Sequence, residues 1–148
     1  MTYRGAFKRQ CRSLCTATTM LLLLCTAGSR AGASGDPPFT LRQAERARPV
    51  YLENCASCHG GDLSGTLMAP SLKGPGFLDR WSRQSLMELF DYMRLFMPLH
   101  SPGGLSKGQN ADLLAFLLQS NGFTAGDAEL PSDPTALSGF TLGRVAQR

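Results

Sequence analysis

The chain has 148 residues, with 15 Lys and Arg against 11 Asp and Glu, a formal net charge of +4 and a pI near 9.0. That basicity does not argue for nucleic acid or an anionic membrane as partner, because it resides in the first 33 residues: without Arg4, Lys8, Arg9, Arg12 and Arg30, ten cations face eleven acids. Cys11, Cys15 and Cys25 fall in the same stretch, so residues 34–148 carry only Cys55 and Cys58, which excludes a disulfide framework.

The N-terminal stretch reads as an export signal. Arg4, Lys8, Arg9 and Arg12 form a basic region, Leu14 to Ala27 is apolar around Met20–Leu24, and Ala31-Gly-Ala33 supplies a small-residue cleavage pattern, so cleavage is expected after Ala33. The apolar run falls short of the roughly twenty residues that span a bilayer, and the mature chain is expected to be periplasmic without an integral membrane span. An uncleaved anchor is the alternative; lipidation at Cys25 is disfavoured by Leu24, where a small residue is wanted. Residues 34–39, with Gly35, Pro37 and Pro38, read as a flexible lead-in. Thr40-Leu-Arg-Gln43 matches a capping box, so a helix is expected from Leu41 into the cysteine pair, with a kink at Pro49 or a helix proper that begins near it.

The run Cys55-Ala-Ser-Cys58-His59 is the attachment pattern of a c-type haem. Each thiol adds across a vinyl group of the porphyrin, and the adjacent imidazole lies beneath the iron as its proximal ligand. A zinc site wants four ligands, and the chain beyond the motif offers only His100. A redox dithiol wants a βαβ setting, and no strand–helix–strand pattern surrounds the motif. A small exported domain without disulfides also needs another source of stability, which a large buried apolar cofactor supplies.

Gly60 to Gly76 reads as a long loop rich in Gly, Ser and Pro, of a length that in small domains is usually functional. Ser85-Leu-Met-Glu88 is a second capping box, opening a helix with Leu86, Leu89, Phe90 and Met93 on one face. Ser106-Lys-Gly-Gln109 is a third, opening the most apolar helix, with Leu113, Leu114, Leu117 and Leu118 recurring until Asn121-Gly122 stops it. No segment alternates with period two. An all-α domain is expected over residues 40–123, with three main helices and long loops around one haem. Residues 124–148 are expected as an extended tail lying over the helices or partly disordered.

A second axial ligand is sought among Met68, Met87, Met93, Met97 and His100. Met68 is close to the motif, and Met93 falls on an apolar stripe that suits core packing. Met97 is favoured because Pro98 pushes the preceding residue out of helical geometry, freeing its side chain, and a thioether raises the reduction potential relative to a second imidazole. The carbonyl of Pro70 is placed to accept the other N–H of His59, and the indole of Trp81 is a candidate donor to a haem propionate or a core residue.

With these features in order, the chain resembles a class I cytochrome c. The stretches CHGGDLSG at 58–65, GFLDRW at 76–81, YMRLFMPLHSPGGLS at 92–106 and LLAFLLQSNGF at 113–123 are similar to the cytochrome c modules of quinohaemoprotein alcohol dehydrogenases, whose electrons come from a pyrroloquinoline quinone site. The resemblance implies one covalent haem c held through two thioether bonds at Cys55 and Cys58, with His59 and Met97 on the iron and the Pro70 carbonyl facing the imidazole. Ala47 and Pro49 depart from the pattern, since relatives often carry a glycine and an ordinary helix former there, which puts helix contact at that point in doubt. No quinoprotein propeller accompanies the module, so a quinoprotein dehydrogenase donor is expected as a separate molecule or subunit, with a terminal oxidase or another cytochrome as acceptor. The expected role is one-electron carriage to the respiratory chain, not enzymatic catalysis; Asp62, Asp79, Asp91 and Asp112 read as solvated or capping acids. The alternatives are a subunit held permanently in a dehydrogenase complex, and a haem enzyme or gas-binding protein with a labile distal ligand.

Overall fold

The computed structural model describes residues 37–144; the stretch expected to be an export signal, with its three cysteines, and residues 34–36 lie outside them. Helix α1 (Leu41–Asn54) begins where the Thr40 hydroxyl accepts from the Gln43 backbone N–H at 3.1 Å. Only half of the expected capping box forms there. The Gln43 side chain, 1% exposed, turns instead to the Leu130 backbone, donating to its carbonyl at 3.0 Å and accepting from its N–H at 2.8 Å. Pro49 lies inside α1 without ending it, and the helix does not begin near it. Its ring is exposed, so water can serve the Glu45 carbonyl that loses its helical donor.

Gln43, Ala44, Ala47 and Tyr51 form the buried stripe of α1, which packs on the last long helix. Ala47 is 0% exposed, so a methyl group is accommodated at the contact where relatives often have glycine. The chain leaves helical geometry at Cys55 (φ −125°, ψ −34°) and re-enters it as the short α2 (Ala56–His59), which ends at Gly60 with φ 82°. The attachment motif therefore straddles a helical break, and α1 does not continue through it.

An unanticipated helix, α3 (Pro75–Trp81), follows the loop. Pro75 stands at its first turn, where a missing N–H costs nothing, and the helix buries Phe77 and Trp81 four apart. Helix α4 (Leu86–Phe96) carries both halves of its capping box and buries Leu86, Leu89 and Phe90; Met93 is partly buried against the same core. Helix α5 (Lys107–Ser120) is likewise capped by Ser106 and Gln109, and it buries eight residues, including Leu113, Leu114, Leu117 and Leu118. It stops at Asn121 and Gly122, the latter at φ 84°.

The residues flanking these helices belong to the core. Phe39, expected in a flexible lead-in, is 0% exposed, and its carbonyl accepts from the Gly126 N–H at 2.8 Å. Leu130, Leu137 and Leu142 of the C-terminal segment are buried at 3%, 0% and 2% exposure, with short 3₁₀ turns at Pro134–Leu137 and Leu142–Arg144. Phe140 accepts from the Leu86 N–H at 2.8 Å, and Ser85 and Thr141 form an isolated bridge. Arg46 of α1 ties α5 and this segment together, reaching Asp112 at 2.9 Å and Glu129 at 2.7 Å. No strand occurs among the described residues, and no described helix is long and apolar enough to cross a membrane.

Candidate cofactor site

The break at Cys55, the loop after α2 and the ends of α3 and α4 enclose one cavity of about 760 Å³ with mainly apolar walls. A pocket of several hundred Å³ with few polar groups suits a large planar apolar ligand. Cys55, Cys58, His59, Pro70, Trp81 and Met97 all line it, so every site residue expected from the sequence comes to one place. Met68, Met93 and His100 line it too; Met87 does not. Met93 therefore touches both core and cavity, while Met68 is 76% exposed.

Cys55 and Cys58 are both unlinked thiols. Burial, and secondarily the neighbouring Cys58, push the Cys55 thiol up to about 11, so at neutral pH it stays protonated and slow to oxidise. Among the described residues no group of three or more His, Cys, Asp or Glu converges.

His59 Nδ1 lies 2.8 Å from the Pro70 carbonyl oxygen. A carbonyl only accepts, so in the neutral ring Nδ1 carries the proton and Nε2 keeps its lone pair for a metal. A web of loop contacts holds that carbonyl in place. Thr66 donates through its N–H to Ala69 at 2.9 Å and through its hydroxyl to the Cys58 carbonyl at 2.6 Å. Leu72 N–H and the Ser71 hydroxyl both reach the Leu63 carbonyl at 2.9 Å. Gly65, at φ 81°, lets the strand of loop bearing Pro70 pass close by: a Cβ there would lie 2.8 Å from the Pro70 carbonyl carbon.

Asn121 was not singled out in the sequence beyond its role as a helix stop, yet its side chain spans from α5 to this loop. It accepts from Gly74 N–H at 2.9 Å and donates to Leu72 at 3.0 Å and Leu117 at 2.8 Å. Met97 caps α4 in extended geometry (φ −122°, ψ 148°), as expected for the residue before Pro98, with its N–H bonded to Met93 at 2.9 Å. Trp81 is 6% exposed and meets Tyr92 edge-on, with ring centroids 5.4 Å apart.

The donor set fits a haem: two thiols spaced for two vinyl groups, an imidazole with a free Nε2 and a thioether, all on one apolar cavity. Comparison with known proteins agrees. No curated protein sequence matches significantly. The crystal structure of the sulfane dehydrogenase SoxCD from Paracoccus pantotrophus is similar, with a TM-score of 0.53 and 27% sequence identity over 74% of this chain and 57% of that one. This chain thus spans little more than half the length of that neighbour. The family model described as "Cytochrome C oxidase, cbb3-type, subunit III" matches residues 42–117, from α1 to α5. With all-α architecture, attachment motif and family match in agreement, the chain belongs to this family of cytochrome c domains, which bind haem and transfer electrons.

Proposed function

We propose that the protein is an exported monohaem cytochrome c, attached through thioethers at Cys55 and Cys58 and ligated by His59 and Met97, that carries single electrons between periplasmic partners. The reading is carried by one observation: His59 Nδ1 is committed to the Pro70 carbonyl at 2.8 Å, on the cavity that both motif cysteines and Met97 also line. When bound, the haem supplies reversible one-electron exchange at iron. The chain's own residues set the terms. Pro70 orients the imidazole and makes it more basic, the Met97 thioether closes the site to other ligands, and the apolar walls keep water away.

The donor is a dehydrogenase. The motif resemblance favours a quinoprotein, and the similarity to the structure of a sulfane dehydrogenase extends the candidates to a dehydrogenase of that kind. The acceptor is a terminal oxidase or another cytochrome, and the protein itself performs no chemistry on a substrate. Residues 1–33 act as the cleaved export signal, residues 40–123 form the haem domain, and the segment from 124 braces it.

Expression of the full chain in a host with haem-attachment machinery, followed by mass analysis of the periplasmic fraction, tests this. The expected product lacks the first 33 residues and carries one haem that resists acid extraction, and C55A/C58A carries none. Haem-free wild-type protein in the periplasm overturns the reading. A stably bound subunit is the second reading, because the family description names an oxidase subunit and the structural neighbour is a dehydrogenase. Co-elution with the donor at submicromolar concentration distinguishes it from a diffusing carrier.

A further inference from the structure

We propose that Arg80 anchors the carboxylates of the haem and, through its charge, raises the reduction potential of the iron; the proposal rests on the haem reading above. A haem presents an apolar macrocycle and two propionates, so a cavity built for it needs apolar walls and somewhere a compensating cation. The cavity has no Asp, Glu or Lys among its lining residues and one Arg, Arg80, in the last turn of α3.

Arg80 is exposed, and its guanidinium lies beside two aromatic rings. Its carbon lies 5.7 Å from the centroid of the Trp81 ring and 5.9 Å from that of Tyr92, within cation–π range of both. Those two rings also line the cavity, and Trp81 is buried. A guanidinium that rests near rings rather than acids keeps its N–H donors for other acceptors, and a carboxylate is the acceptor its fork of donors matches best.

No described carboxylate takes those donors. Arg46 and Arg94 each pair with acids, whereas Arg80 lies within 4.0 Å of none. The chain thus supplies an uncommitted guanidinium at a mainly apolar cavity. Its position in the sequence, one residue before the only Trp, ties it to the indole already considered for the propionates.

A cation beside the propionates cancels part of the negative charge near the iron. Without it the ferric form is favoured. Potentiometric titration of the haem-loaded protein tests this, with R80Q and R80M as neutral variants, R80K keeping the charge, and R83Q as a control outside the cavity. The neutral variants are expected to lower the equilibrium constant for reduction about tenfold, which is 59 mV for one electron. R80K is expected to recover most of the loss, and R83Q to match wild type. If the neutral variants fail to hold haem while R80K holds it, the requirement for charge is equally supported. A neutral variant that loads haem and keeps the wild-type potential overturns the proposal, as does loss of haem in R80K together with both neutral variants, or an equal shift in R83Q. Wild-type protein that takes up no haem instead overturns the haem reading on which Arg80 depends.

Discussion

Gly65→Ala and Gly61→Ala, four residues apart in one loop, are expected to have opposite fates. Gly65 sits at φ 81°, and a Cβ there would lie 2.5 Å from the Ser71 nitrogen, 2.8 Å from the Pro70 carbonyl carbon and 2.9 Å from the Ala69 oxygen. All three are backbone atoms, so no side-chain rotation relieves the clash. The left-handed conformation alone costs an L-residue about 1–2 kcal/mol, and forcing an atom into filled space adds about 1–3 kcal/mol. The loss in G65A is therefore about 2–5 kcal/mol. A Cβ at Gly61 meets nothing within 4 Å, and G61A is expected within about 0.5 kcal/mol of wild type. Urea denaturation of the haem-loaded variants measures the difference. Because the displaced atoms belong to the segment whose carbonyl accepts from His59, G65A is also expected to raise the reduction potential, since a weaker Nδ1–H···O bond leaves the imidazole a poorer donor to ferric iron, or to lower the haem content, and G61A to change neither. Equal stability of the two variants would refute the close approach of the Gly65 and Pro70 segments on which the site's geometry depends.

Gln43→Ala removes both bonds to Leu130 and leaves that residue's buried N–H and carbonyl unpaired, at about 1–3 kcal/mol each. An expected loss of about 2–6 kcal/mol is checked by denaturation, and stability within about 0.5 kcal/mol of wild type would show that the C-terminal segment is not pinned there. The Asp62 carboxyl is held down from its ordinary 3.8 to about 2, first by the Ser64 hydroxyl, then by the Ser64 backbone N–H and by Lys73. A carboxyl depressed in the folded state adds stability that is present above about pH 4 and disappears as pH falls toward 2. D62N is thus expected to be slightly less stable at neutral pH and to converge on wild type over that interval; parallel pH profiles would contradict the assignment. In the haem-free protein, iodoacetamide at pH 7.5 is expected to modify Cys58 well before Cys55, whose thiol is pushed up to about 11 by burial. Equal rates would argue against that burial.

Much of the helical frame was legible because its signals are local. The Ser85 and Ser106 boxes and the Asn121–Gly122 stop lie where helices α4 and α5 begin and end. What escaped was set by partners distant in sequence. Thr40 and Gln43 match a capping box by spacing, but Gln43 finds a stronger use in the buried backbone at Leu130, 87 residues away. Phe39 and Leu137 lie in stretches whose Pro and Gly content reads as loop, yet each fills a core position left open by the helices. Helix α3 is too short for periodicity to reveal, and its only announcement is Pro75 after Gly74. The site divides the same way. Cys55, Cys58 and His59 are neighbours in the chain, and Met97 stands out by its proline, so both could be read. Asn121 and Arg80 stand out only through proximities that the folded chain creates: a side chain crossing to the 72–74 loop, and a guanidinium 5.7 and 5.9 Å from two ring centroids at the cavity.

The ferric sulfur-to-iron charge-transfer band, recorded for purified wild-type protein beside M97A and H100A, tests the central claim most directly. Covalently loaded wild-type protein should show the band, H100A should keep it, and M97A should lose it while retaining its haem. Absence of the band in haem-loaded wild type, or its persistence in M97A, would contradict ligation by His59 and Met97 and with it the account of a closed, six-coordinate electron carrier.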